Sequence, residues 1–277
     1  MNLKYHSTVF IDVDGTLVNR AAQIPKSAIE AIKTAQSEGF MIVLTTGRMY
    51  RSAAKEAARV GIDPAVPVIA FNGAFCAPLN DAGAIIHYEP ISGGLFKELI
   101  ETLDGFGRKD VTIFCYTPFE LFVDCDNNLL KEYSKRTGSD YKILDSFASL
   151  NESPKILALS DFDAPELLAP LQTAVAEKFA GRLECVNSFP NYLEITAAGV
   201  SKGLAIKKLI SRCGIDRSKT YAIGDSYNDI PMFHAVNKSI AMGGSDEAVK
   251  KEAACLTRRL EEGGIEYAFN NFILNNN

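Results

Sequence analysis

Two aspartates one residue apart, Asp12 and Asp14, follow the apolar run Val9-Phe10-Ile11 and precede Gly15 and Thr16. Side chains alternate along an extended chain, so if extension persists through Val13 the two carboxylates face the same side. Converging carboxylates repel and prefer to share a proton. A divalent cation removes that conflict, and Mg²⁺ takes paired hard oxygens together with waters and phosphate oxygens. The alternative is a plain polar exit from a strand, since Asp and Gly are common turn residues.

Three further stretches bear on the choice. Thr46-Gly47-Arg48 follows the apolar run Met41-Ile42-Val43-Leu44. A hydroxyl and exposed N–H groups at the carboxyl end of a strand can hold phosphate oxygens; Thr46 is equally suited to cap the next helix. Lys202, in Val200-Ser201-Lys202-Gly203, opens a helical pattern. It either strengthens an anion-friendly helix start or is a solvated surface charge. Gly224-Asp225-Ser226-Tyr227-Asn228-Asp229 follows Tyr221-Ala222-Ile223, and its composition also suits an ordinary loop. Asp12, Thr46 and Asp225 each come directly after a buried-type strand, and in a parallel α/β sheet those ends share one ligand-binding edge.

The elements that must position these groups alternate. Strand-like runs at 9–11, 41–44 and 66–71 are separated by helical patterns at 25–38 and 50–60. The third run stops at Asn72-Gly73, a tight-turn dipeptide. Such alternation predicts a doubly wound parallel sheet. The character changes after His87. Helical patterns at 91–103, 127–137 and 165–179 and strand-like runs at 111–116, 119–123, 155–160 and 182–187 suit an α+β insertion with a partly antiparallel sheet. Alternation returns at Tyr192 to Thr196, followed by a helix from Ser201 to Cys213, a strand from Thr220 to Ile223, and a final helix from Glu261 to Ile273. The expected division is 1–87 for the first part of a core, 88–189 for an inserted domain, and 190–277 for the rest of the core. The Asn-rich end, Asn275 to Asn277, reads as a frayed tail.

The four stretches together, Asp12-Val13-Asp14-Gly15-Thr16, Thr46-Gly47-Arg48, Lys202 and Gly224-Asp225-Ser226-Tyr227-Asn228-Asp229-Ile230-Pro231-Met232, resemble in order and spacing the motifs of the haloacid dehalogenase (HAD) superfamily, and of its Cof-type hydrolases in particular. The resemblance spans the chain and implies a Rossmann-like HAD core with an inserted cap. It implies Asp12 as a nucleophile that forms an aspartyl-phosphate, and Asp14 as general acid and base. Thr46, Lys202 and Asn228 would bind the phosphoryl group. Mg²⁺ would be held by Asp12, Asp225 and the backbone carbonyl of Asp14, with Asp229 holding the loop or a ligand through water. Gly47, Arg48, Asn72 and Gly73 lie at the rim, where they could touch substrate. The implied activity is phosphatase action on small phosphometabolites, sugar phosphates or a phosphorylated cofactor, with the cap closing over the site and choosing the leaving group. A phosphotransferase or phosphomutase with the same intermediate is the first alternative, and a non-catalytic phosphometabolite-binding module the second. The chain departs from the family pattern at Gly244-Ser245, where Asn-Ala is usual, and at Leu260, where Asn is frequent.

Composition narrows the field. The chain has 277 residues, 47% apolar and 23% charged, with net charge −5. That balance argues against a nucleic-acid-binding surface, and no run approaches a membrane span. The cysteines at 76, 115, 125, 185, 213 and 255 form no Cys-x-x-Cys pair and suit a reduced, cytoplasmic protein. A monomer or homodimer is the expected assembly. A second strand ending in Asp-x-Asp, Ile156 to Asp163, lacks Gly-Thr; Asp163-Ala164-Pro165-Glu166 reads instead as a capping box. Asp124 to Asn128 starts like a calcium loop but has Leu129 and Lys135 where Gly and Glu are required. Gly105-Phe106-Gly107 is not completed into a dinucleotide fingerprint. His87 and His234 are expected in packing or rim positions.

Overall fold

The strand Ser7–Ile11 is buried at every residue, as its unbroken apolar run requires of a strand covered on both faces. In the computed structural model, which describes residues 5–106 and 110–274, it lies at the centre of the first of two compact units. The terminal asparagines and Gly107 lie outside the described residues.

The first unit joins residues 1–87 to 201–277. Ser7–Ile11 pairs in parallel with Phe40–Leu44 on one side and Thr220–Gly224 on the other. Lys238–Ala241 and Cys255–Leu256 extend the sheet, also in parallel. A bridge between Thr45 and Ile69 brings Pro67–Ala70 alongside Phe40–Leu44 in the same direction. Parallel neighbours need crossovers. The helices Lys26–Ser37, Tyr50–Val60, Ile230–Ala235 and Glu247–Lys251 supply them, and Lys26–Ser37 buries Ala28, Ala31, Ile32 and Ala35 along one stripe. This is the doubly wound α/β core that the sequence predicts. Every strand of the parallel sheet therefore ends at the same edge.

The second unit runs from Tyr88 to Val200. Its six-stranded sheet is mostly antiparallel: Ile156–Ser160 lies between Val111–Tyr116 and Tyr192–Ala197, antiparallel to both. Ile113, Cys115, Ile156, Ala158, Leu193 and Ile195 form a core with Phe96 and Leu99 of the helix Gly93–Asp104 and Leu171 and Val175 of the helix Ala169–Lys178.

Local expectations are corrected here. The second unit extends to Val200, and Tyr192–Ala197 takes its ladder partners, Ile156–Ser160 and Leu183–Phe189, from it. The helical pattern at 91–103 starts at Gly93, because Ile91–Ser92 is a short strand. The run 165–179 is a short 3₁₀ turn, Pro165–Leu168, followed by Ala169–Lys178. Its N-cap is Ala164, without a side-chain cap; Asp161 rather than Asp163 supplies the local hydrogen bond, accepting from the Asp163 N–H at 3.1 Å. The final helix is broken into Leu260–Glu262, Gly264–Ala268 and Phe269–Ile273. Among the described residues no helix is long and apolar enough to cross a membrane.

Candidate active site

Asp12 is the first residue past the central strand. Its N–H donates to the Ile223 carbonyl at 2.9 Å, and its side chain is buried between the two neighbouring strand ends. Extension stops there. The N–H groups of Leu17 and Val18 both donate to the Val13 carbonyl, at 2.9 and 2.8 Å, so the chain turns at once. Asp14 lies within that turn. Its side chain is 60% exposed and lies against Arg48.

What converges on Asp12 comes from the other end of the chain. Asp12, Asp225 and Asp229 each offer a carboxylate oxygen, all within 4.8 Å of one another. Lys202, 1% exposed, donates from Nζ to Oδ1 of Asp12 and Oδ1 of Asp229, both at 2.6 Å. It is placed by the helix Lys202–Cys213, whose Ser201 cap accepts from the Leu204 N–H at 3.1 Å. The other Asp229 oxygen accepts from the N–H groups of Asp225 and Ser226, at 2.8 and 3.0 Å, which fixes the loop carrying Asp225. The Thr16 hydroxyl donates to Asp225 Oδ1 at 2.7 Å. Gly15, at φ 90°, lies so close that a Cβ there would collide with the Asp225 carboxylate.

The electrostatics follow from burial. Desolvation pushes the Asp12 carboxyl well above the usual carboxylate range; Lys202 works against this, and the Asp229 and Asp225 charges add to it. Asp225 is pushed up to about 6, chiefly by desolvation, with the Thr16 hydrogen bond opposing and Asp229 contributing. Lys202 is held above its ordinary value: burial opposes the charge, but Asp12 and Asp229 outweigh it. With all groups ionised, three carboxylates against one ammonium leave an excess of two negative charges. Hard oxygens in that balance fit Mg²⁺.

Around this centre stand the other expected residues. Thr46 is buried, and its Oγ1 accepts from the Arg48 N–H at 3.1 Å; it is not the helix cap, which falls at Met49. The strap Phe71–Gly73 has positive φ at three successive residues, 52°, 55° and 107°. It is clasped to the Thr46–Arg48 loop by Phe71 N–H to Arg48 O and Asn72 N–H to Thr46 O, both 3.0 Å. Gly73 permits this because a Cβ there would strike the Ser201 backbone. Asn228 Nδ2 donates to Asn72 Oδ1 at 3.0 Å, and Gly47 lies beneath the Asn72 amide. All eleven residues named from the sequence thus lie at or beside one sheet edge, with Asp14 paired to Arg48.

The fold recurs in known proteins. The family model of haloacid dehalogenase-like hydrolases matches residues 9–269. The chain belongs to that family. It is 28% identical to a 5-amino-6-(5-phospho-D-ribitylamino)uracil phosphatase of Bacillus subtilis, with 94% of this chain and 95% of the relative covered. It superposes on a protein of Thermotoga maritima with a TM-score of 0.86 at 26% identity, covering 97% of each chain. It also superposes on a sugar phosphatase of HAD subclass IIB, BT4131, with a TM-score of 0.75 at 26% identity, covering 96% and 98%.

Within this HAD hydrolase, two residues carry contacts that the sequence reading left without a role. Thr16 holds Asp225 across the sheet edge. Glu56, 8% exposed, accepts from Arg48 Nη1 at 2.8 Å and from Arg59 Nη1 at 2.6 Å. A signal for Glu56 existed: it falls on the same helix face as the buried Tyr50, Ala53, Ala57 and Val60, where a carboxylate demands a partner. The histidines stand apart from the carboxylates. His87 is buried, and His234 pairs with Glu252 at 2.8 Å.

Proposed function

We propose that this enzyme is a Mg²⁺-dependent phosphatase of small phosphorylated metabolites, working through an aspartyl-phosphate on Asp12. The observation that carries the reading is the buried contact of Asp12 with Lys202, beside Asp225 and Asp229. A carboxylate so placed is ionised only when opposite charge surrounds it. Asp12, Asp225 and the Asp14 carbonyl would hold Mg²⁺, with Asp229 beside them. When bound, the ion offsets the charge of the carboxylates and of the phosphoryl oxygens.

The chain's own groups then have distinct tasks. An Asp12 oxygen attacks phosphorus, forming a new O–P bond as the bond to the leaving oxygen breaks. Asp14, exposed at the turn, delivers a proton to that oxygen. It then takes a proton from the water that hydrolyses the acyl-phosphate, so one hard step becomes two. Lys202, the Thr46 hydroxyl and the Asn228 amide hold phosphoryl oxygens, since positioning and charge stabilisation supply most of the catalysis in phosphoryl transfer. Arg48, Gly47, Asn72 and Gly73 shape the rim. The choice of leaving group is assigned to the inserted unit 88–200. The substrate class is supported by the relatives, one a sugar phosphatase and one acting on a phosphorylated ribitylamino-uracil.

The test is phosphate release from a panel of sugar phosphates and phosphorylated cofactors, with and without Mg²⁺, beside Asp12→Asn. Release that requires both the ion and Asp12 is expected. Transfer to an added alcohol in place of release indicates a phosphotransferase. Binding without turnover indicates a binding module. Release that survives Asp12→Asn excludes the mechanism.

A further inference from the structure

Asp14 needs a fixed position if it is to protonate a leaving oxygen, yet it is the most exposed acid of the site. A surface ion pair alone holds a side chain weakly. Arg48 is better anchored than such a pair. Its backbone is fixed at both groups, N–H to Thr46 Oγ1 and carbonyl from the Phe71 N–H. Its guanidinium is used along two edges. Nε and Nη2 grip the two Asp14 oxygens at 2.8 and 2.6 Å, and Nη1 reaches Glu56 Oε1 at 2.8 Å.

Glu56 is the buried end of this chain of contacts. It stands mid-way along the helix Tyr50–Val60, on the face packed with Ala53, Ala57 and Val60. Its second oxygen accepts from Arg59, which also donates to the Ala22 carbonyl at 2.9 Å. A planar fork tied down at one edge has little freedom at the other. We infer that Glu56 is a positioning residue: it orients Arg48, and through Arg48 it holds the Asp14 carboxylate in place for proton transfer. This rests on the reading of Asp14 as the acid and base. A small misplacement of a reacting group, even from a distant substitution, costs up to about a hundredfold in rate.

Glu56→Gln keeps the shape of the side chain and removes its charge. In full-length enzyme with Mg²⁺ and the best phosphate ester of the panel, kcat should fall about ten- to a hundredfold, with KM within about twofold. Arg48→Met should lose a similar factor, and the double variant no more than the larger single loss, because groups acting as a unit are not additive. If Glu56→Gln does not fold, Glu56→Asp, which withdraws the carboxylate from Arg48, must show the same kcat loss. A readout independent of turnover is the Arg48 Nε–H resonance in a ¹⁵N spectrum. It should exchange slowly in wild type and be broadened or lost in both Glu56→Gln and Asp14→Asn. Unchanged kcat in the folded Glu56 variants, losses that multiply, or an Arg48 resonance indifferent to Glu56 overturn the inference. Absence of phosphate release by the wild type would strike the proposed function instead, and the resonance would still decide whether Glu56 fixes Arg48 on Asp14.

Discussion

Two strands of this protein end in the same pattern, and among the described residues only one leads into a buried charged cluster. Ser7–Ile11 leads into Asp12-Val13-Asp14, and Ile156–Ser160 leads into Asp161-Phe162-Asp163; both strands are buried throughout. Asp12 is 4% exposed and held by Lys202, whereas Asp161, Phe162 and Asp163 are all exposed. The difference lies in the neighbours. Ile11 lies beside Leu44 and Ile223 in parallel strands, so the chain leaving each of them, with Thr46 and Asp225, arrives at the same edge. Ser160 lies beside Val111, and Leu159 beside Tyr192, each at the start of an antiparallel strand. The carboxyl ends of those neighbours are at the far side of the sheet. An Asp-x-Asp turn gathers further charged groups around it when strand direction delivers them.

The largest effects come from breaking what parallel neighbours deliver. Lys202→Met leaves Asp12 and Asp229 buried without their shared cation. Removing one partner of a buried ion pair costs about 3–5 kcal/mol, so the urea midpoint should drop sharply and phosphate release should be lost. A variant of wild-type stability would show that these carboxylates are not buried as a charged cluster. Gly15→Ala comes next. Its φ of 90° and the approach of Asp225 leave no room for a Cβ. The backbone term alone is about 1–2 kcal/mol, and displacement of Asp225 should lower kcat and raise the Mg²⁺ concentration needed for half-maximal rate.

A subtler test uses pH. Asp225 has its folded pKa raised to about 6. A raised pKa means that the native state binds this proton more tightly than the unfolded chain does. Its contribution is therefore present below the unfolded carboxylate value and is lost as pH rises through about 6. Asp225→Asn removes that titration while keeping an acceptor for Thr16. Without Mg²⁺, wild type should lose stability relative to Asp225→Asn between pH 5 and pH 7.5, measured as urea midpoints. Added Mg²⁺ should stabilise wild type more at the higher pH. A stability difference between the two that does not change with pH would place Asp225 in contact with water.

Much of this centre was legible because Asp12, Thr46 and Asp225 each follow a recognisable apolar strand. The strand ends, the glycines after them and the α/β alternation are local signals, and they place Asp12, Thr46 and Asp225 on one edge. What was not legible is non-local. The Thr16 hydroxyl meets Asp225 across 209 positions, and nothing near Thr16 in sequence announces it. Glu56 reaches back eight residues from a helix to a loop, outside any helical spacing rule. Tyr192–Ala197 alternates like a strand of either unit, and only its ladder partners decide that it belongs to the second.

The smallest expected effect belongs to the strand whose Asp-x-Asp turn is exposed. Asp161→Asn keeps the Oδ1 acceptor that caps the Asp163 N–H, so the local turn survives. Both residues are exposed, and surface substitutions of this kind stay within about 0.5 kcal/mol. Phosphate release should be unchanged at every substrate concentration, and the urea midpoint should match wild type. A fall in kcat with Asp161→Asn would mean that this aspartate serves the reaction despite its antiparallel neighbours. Strand direction would then no longer separate the two Asp-x-Asp turns, and the contrast would have to rest on Gly15 and Thr16 alone.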